Sequence, residues 1–198
     1  MAVEFNREIY SGHFPEFWRG EAKILPGGFK PSQSFPVGTV VRKGVPLCVD
    51  FDTMSAAVCK TALVVDGGTT TAPRVAKGHL LTVGDQIGKA EATAAVTIKS
   101  IDTTNSQYDV VTFDKALTGV KANDVLFECG EVTEKAAPKY EPNMVVGSEL
   151  HFTGKGLPTF DAAYDVVVLI PSLAMPMLPE WLNGVCLKNN PNIIYIKQ

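Results

Sequence analysis

From residue 37 onward, short β-branched apolar runs alternate with turn residues rich in glycine, aspartate and asparagine. Residues 37–41 and 45–49 read as two short strands around the turn Arg42-Lys43-Gly44. Residues 56–65 fit a helix or a strand, and the β-branched Val64 and Val65 favour a strand at the end. Asp66-Gly67-Gly68-Thr69-Thr70-Thr71-Ala72-Pro73 predicts a loop, followed by a short strand within 74–83 and a turn at Gly84-Asp85. A linker or a hairpin is expected around 89–92. Residues 94–102 then predict a strand with Val96, Ile98 and Ser100 on one face, returned by Tyr108 to Phe113. Leu117 to Phe127 adds a turn and a strand.

The opening 36 residues follow a different grammar. Phe5, Tyr10, Phe14, Phe17, Trp18, Phe29 and Phe35 are interleaved with Gly12, Pro15, Gly20, Pro26, Gly27, Gly28, Pro31 and Pro36, a density of breakers that excludes a long helix. Such aromatics must be covered, either by the chain's own core or by a neighbour. After a polar, proline-bearing stretch at 131–143, residues 165–170 and 192–197 read as strands. Between them, 171–179 is apolar but punctuated by proline, and 179–184 starts one helical turn.

The fold class expected is therefore mainly β: a small barrel or sandwich of short strands with extended N- and C-terminal segments. Helices long enough for crossovers between parallel strands are missing from the pattern. The division expected is an arm at 1–36, a barrel or sandwich domain at 37–130, a connector at 131–143, and a strand-containing segment at 144–198. That last segment is docked on the core or on a neighbouring subunit.

Composition narrows the function. The formal net charge of −3 leaves no electrostatic footprint for nucleic acid or an anionic membrane. The start lacks an apolar signal core, and no apolar run is long enough to span a bilayer as a helix, so synthesis in a reducing cytosol is expected. Cys48, Cys59, Cys129 and Cys186 form no paired motif, and reduced thiols are expected.

His13, His79 and His151 share no metal-like spacing, so neither a metal nor another cofactor is expected. The glycines at 67–68 are followed by Ala72-Pro73-Arg74, where a Walker loop needs a lysine and a hydroxyl. A catalyst would have to assemble its site in space, with Cys59 beside His79 or Cys186 beside His151 as the pairs to examine.

Two apolar clusters are candidate partner contacts: Phe14, Phe17, Trp18 and Phe29 first, then Leu173, Met175, Met177, Leu178 and Trp181. The alternative is that both cap the protein's own core.

Residues 35–47 (Phe35-Pro36-Val37-Gly38-Thr39-Val40-Val41-Arg42-Lys43-Gly44-Val45-Pro46-Leu47) resemble the opening of small β domains in tailed-phage capsid decoration and head-fibre proteins. The stretch from Gly67 to His79 resembles the segment that follows in head-fibre-type proteins of phages and prophages of gut Bacteroidales. Leu80-Leu81-Thr82-Val83-Gly84-Asp85 and the run from Leu117 to Leu126 fit the same pattern. The resemblance covers about half of the chain and rests on structural motifs. It implies a homo-oligomer, a trimer ahead of a dimer, on the capsid exterior. The major capsid protein or another virion protein would be the partner, with no cofactor and no catalytic residue. A carbohydrate-binding or adhesion module, and an enzyme with a spatially assembled site, are the competing classes.

Overall fold

The computed structural model describes residues 17–130, 132 and 135–197. The mainly β class and its barrel are present, and the strands divide between two closed arrangements rather than one.

The first is a six-stranded barrel. It comprises β5 (Thr61–Val65), β6 (Arg74–Ala76), β7 (Gln86–Lys89), β8 (Val96–Asp102), β9 (Tyr108–Phe113) and β10 (Val125–Glu128), in the order β10-β5-β6-β9-β8-β7 with β7 returning to β10. Alternation fills its interior: Val64, Val75, Ile87, Val96, Ile98, Val111, Phe113 and Leu126 are all buried in one cluster. The expected face of β8 fails at one position. A register shift between Ile98 and Ser100 opposes the regular period, so Ser100 is exposed and Ile101 packs against the core instead.

The second arrangement uses β1 (Trp18–Pro31), β3 (Pro46–Asp50), β4 (Ser55–Val58), β11 (Met144–Val146) and β13 (Phe160–Leu169). Pairings β1–β4, β4–β3, β3–β11, β11–β13 and β13–β1 close a ring. Phe29, Leu47, Val49, Val58, Met144, Val146, Phe160 and Ala162 fill it. The alternate residues Val145 and Ala163 pack outward into the cluster shared with the barrel. These strands are therefore apolar on both faces.

Beyond β13, the parallel β16 (Asn190–Ile196) and the short β15 (Cys186–Leu187) and β14 (Leu182–Asn183) extend the sheet. A separate pair joins β2 (Val40–Val41) to β12 (Leu150–His151). Short 3-10 turns occupy Ile170–Ser172 and Pro179–Trp181, the latter where a helical turn was expected.

The sheet boundaries do not coincide with the segment boundaries read from sequence. Residues 37–58 belong with the ring and not with the barrel, and the expected arm supplies β1, the ring's longest strand. Its glycines and prolines do not prevent pairing; they place irregularities in it. Register shifts fall between Arg19 and Lys23 and between Leu25 and Phe29, where Gly20, Gly27 and Gly28 take positive φ.

Candidate protein-binding surface

The chain crosses from ring to barrel at Cys59-Lys60, and the crossing is charged. Lys60 is buried, with its ammonium 2.7 Å from Asp85 Oδ2 and 3.0 Å from Thr82 Oγ1. Glu128 lies 3.9 Å from that ammonium, accepts from Lys139 Nζ at 2.9 Å and accepts from Gln33 Nε2 at 2.8 Å. Gln33 also exchanges two hydrogen bonds with the backbone of Val58, so the segment after β1 is tied across the junction. The Phe35 ring covers Lys60, its centroid 5.2 Å from the ammonium. Buried charges paired and hydrogen-bonded this fully hold two sheet systems in one relative position.

That fixed junction supports a rim of loops at one end of the ring. Phe51 meets the buried Phe29 edge-on at 5.8 Å, and the Met54 carbonyl accepts from Lys30 N–H. Gly27 N–H donates to Asp161, which ties β1 to the start of β13. On the adjoining side, Phe35 and Phe152 are 4.9 Å apart and Phe152 and Phe160 are 6.3 Å apart. Gly38 N–H donates to the Phe152 carbonyl at 2.7 Å.

On the outer side of this aromatic row large apolar side chains stand exposed among polar ones such as Asp52, Thr53 and Lys155. Leu157 is 91% exposed, Val37 73%, Phe51 52% and Met54 44%, four of the six large hydrophobics found exposed among the described residues. Scattered singly they would mean little; gathered on neighbouring loops of a rigid ring they form a surface suited to a protein partner. None of these four was a candidate from sequence. The available signal was Gly154-Lys155-Gly156-Leu157-Pro158, where both glycines adopt positive φ and hold a leucine at the tip of a tight loop.

The residues that were candidates separate into three groups. Phe14 lies outside the described residues. Phe29, Met175, Leu178 and Trp181 are buried in the chain's own core, the alternative that the sequence left open. Phe17, Trp18, Leu173 and Met177 are half-buried and line hollows. Met177 faces a shallow apolar hollow of about 760 Å³ with Pro179, Leu182, Val185 and Ile196.

The histidine and cysteine pairs do not meet as a nucleophile and its base. His79 Nδ1 accepts from Leu81 N–H at 3.2 Å, which leaves its proton on Nε2, 3.2 Å from Asp109 Oδ2. The angle there is poor enough that Nε2 lacks a well-formed hydrogen bond. Burial holds the His79 pKa below its usual value, against the opposing pull of Asp109, and Asp109 is also paired with Lys77. His151 is exposed and bonded to Glu149 at 2.7 Å. All four cysteines are free. Burial raises the Cys59 thiol well above its ordinary pKa and pushes Cys129 up to about 11, the reverse of what an activated nucleophile requires. Among the described residues no group of His, Cys, Asp and Glu is arranged to hold a metal ion.

Comparison with family models, with curated proteins and with solved structures finds no match to the chain.

Proposed function

We propose that the chain is a non-enzymatic structural subunit of a phage particle. It is a capsid decoration or head-fibre protein that binds the capsid exterior through protein–protein contacts and self-associates, as a trimer in preference to a dimer. The observation that carries this reading is the concentration of Leu157, Val37, Phe51 and Met54 on adjoining loops at one end of the ring. Loops on a rigid closed sheet present such residues without an ordering cost, which is how a preformed protein-binding surface works. The resemblance of residues 35–47, 67–85 and 117–126 to head-fibre proteins supplies the capsid as partner.

The test is immunogold labelling, with an antibody to this chain, of particles released by the producing bacterium. Gold on the outside of heads is expected. Gold absent from particles, together with retention of the purified chain on a glycan array, would replace this reading with the carbohydrate-binding one.

A further inference from the structure

A second surface lies on the flank of the ring, with a lining that shares no residue with the apolar rim. It is a groove of about 250 Å³ between β2 with the turn that follows it, the loop at Lys77-Gly78 and segment 172–174, with Phe17 at one side. It continues through Phe17 and Lys43 into a hollow of about 380 Å³ beside Trp18. We propose that this groove docks an extended segment of a partner protein in which acidic and aliphatic residues alternate. The proposal rests on the protein-binding reading above and adds to it the chemistry of one partner segment.

The pattern of β2 sets the groove's character. Val41 points into the ring core, so its neighbours Val40 and Arg42 project to the opposite side and line the groove. The floor is aliphatic, from Val40, Val45, Leu80 and Leu173. The cations are Arg42, Lys43 and Lys77, and no described lining residue is acidic. Lys77 is already committed to Asp109, and Lys43 lies 5.3 Å over the Trp18 ring. Among the described residues Arg42 and Lys43 have no carboxylate partner, which is notable in a chain of net charge −3.

The groove is preformed. A Cβ on Gly44 would stand 3.2 Å from Leu173, and one on Gly78 would stand 2.6 Å from Ala174, so segment 172–174 is seated directly against both glycines. An extended segment alternates its side chains with a period of two, so its aliphatic residues meet the floor while the carboxylates between them meet Arg42 and Lys43. The negative net charge and the small number of cations disfavour a nucleic acid, which needs an array of phosphate-neutralising cations.

The experiment is fluorescence anisotropy of the full chain with a fluorescein-labelled ten-residue peptide of alternating valine and glutamate, with labelled polyglutamate of equal length and oligo(dT) as comparisons. Saturable, salt-sensitive binding of the alternating peptide is expected. It should be about tenfold or more weaker for Arg42→Glu/Lys43→Glu and intermediate for the milder Arg42→Gln/Lys43→Gln. Absence of binding overturns the proposal. Equal affinity for polyglutamate or oligo(dT) also overturns it, since the groove would then be a general anion site. A fall in the solution mass of Arg42→Glu/Lys43→Glu relative to wild type overturns it in favour of a second copy as occupant. Immunogold labelling with the wild-type chain is independent of these outcomes, so a failed groove leaves the capsid reading to stand or fall separately.

Discussion

Lys60 Nζ lies 2.7 Å from Asp85 Oδ2, with the lysine side chain only 1% exposed, at the single place where the chain passes from the ring into the barrel. Removing the cation leaves Asp85 a largely buried carboxylate held only by Thr82 and weakens the hold on Glu128, whose remaining partners are Lys139 and Gln33. Lys60→Met is therefore expected to destabilise the protein by about 3–5 kcal/mol. Urea denaturation followed by tryptophan fluorescence checks it; a loss below about 1 kcal/mol would mean that the network is not what couples the two sheet systems.

Gly78 combines φ +85° with a would-be Cβ only 2.6 Å from the Ala174 methyl. Gly78→Ala should cost about 1–3 kcal/mol through overpacking and backbone strain together. Adding Ala174→Gly should restore the steric part and leave the backbone part. Thermal melts of the two single variants and the double variant separate the contributions, and strict additivity would contradict the contact.

His79 sets an expected pH response. Its folded pKa is lowered by burial, so the folded state favours the neutral ring and the unfolded chain takes up the proton first. The stability contributed is fully present above the unfolded histidine pKa of about 6.5 and is lost as pH falls below it. The groups facing the ring are Asp109, Lys77 and Asp85. Asp50, Asp102 and Asp114 have pKa values lowered by hydrogen bonds, so their loss comes at more acid pH. The melting temperature should rise between pH 5 and 7, as estimated from those reference values, and His79→Gln should flatten that rise. An unchanged slope in the variant would assign the response elsewhere.

Thiol reactivity should follow burial. Cys48 and Cys186 are half-buried and should be alkylated by iodoacetamide before Cys59 and Cys129 in the folded protein. Peptide mapping by mass spectrometry gives the order. Early labelling of Cys59 would show that the interior is more accessible than its packing implies.

The apolar rim makes a different kind of prediction. Leu157 is held by its loop and not by the core, so Leu157→Asp should change stability by no more than about 0.5 kcal/mol. It should nevertheless reduce association. Light scattering over a dilution series is expected to show a stable multiple of the 21.3 kDa subunit for wild type and a smaller mass, or weaker binding to heads, for the variant. An unaltered variant in both measurements would remove the rim from the binding surface.

Local chemistry alone determined that this chain forms short strands. The β-branched runs at 37–49, 94–102 and 108–113, and the turn at 66–73, dictate extended backbone and its interruptions without help from distant residues. The same composition signals that no long helix forms among residues 17–36, and there β1 is a strand. What it could not convey is partnership. That β1 pairs with β13 across some 140 positions, or that residues 37–58 join the ring while 61–128 close a barrel, depends on long-range register.

Burial was equally beyond local reach, because an aromatic among glycines reads the same whether it fills a core or faces a partner. Pairing opposite Phe160 puts Phe29 inside the ring, whereas Phe51, two strands away in the hairpin between β3 and β4, is left at its mouth. The groove cations show the same division: Arg42-Lys43-Gly44 reads in sequence as a basic turn, and only the packing of residues 172–174 against Gly44 and Gly78 gives those charges an aliphatic floor. Strand formation needs a few neighbouring residues; which surfaces remain uncovered is settled only when every strand has found its partner.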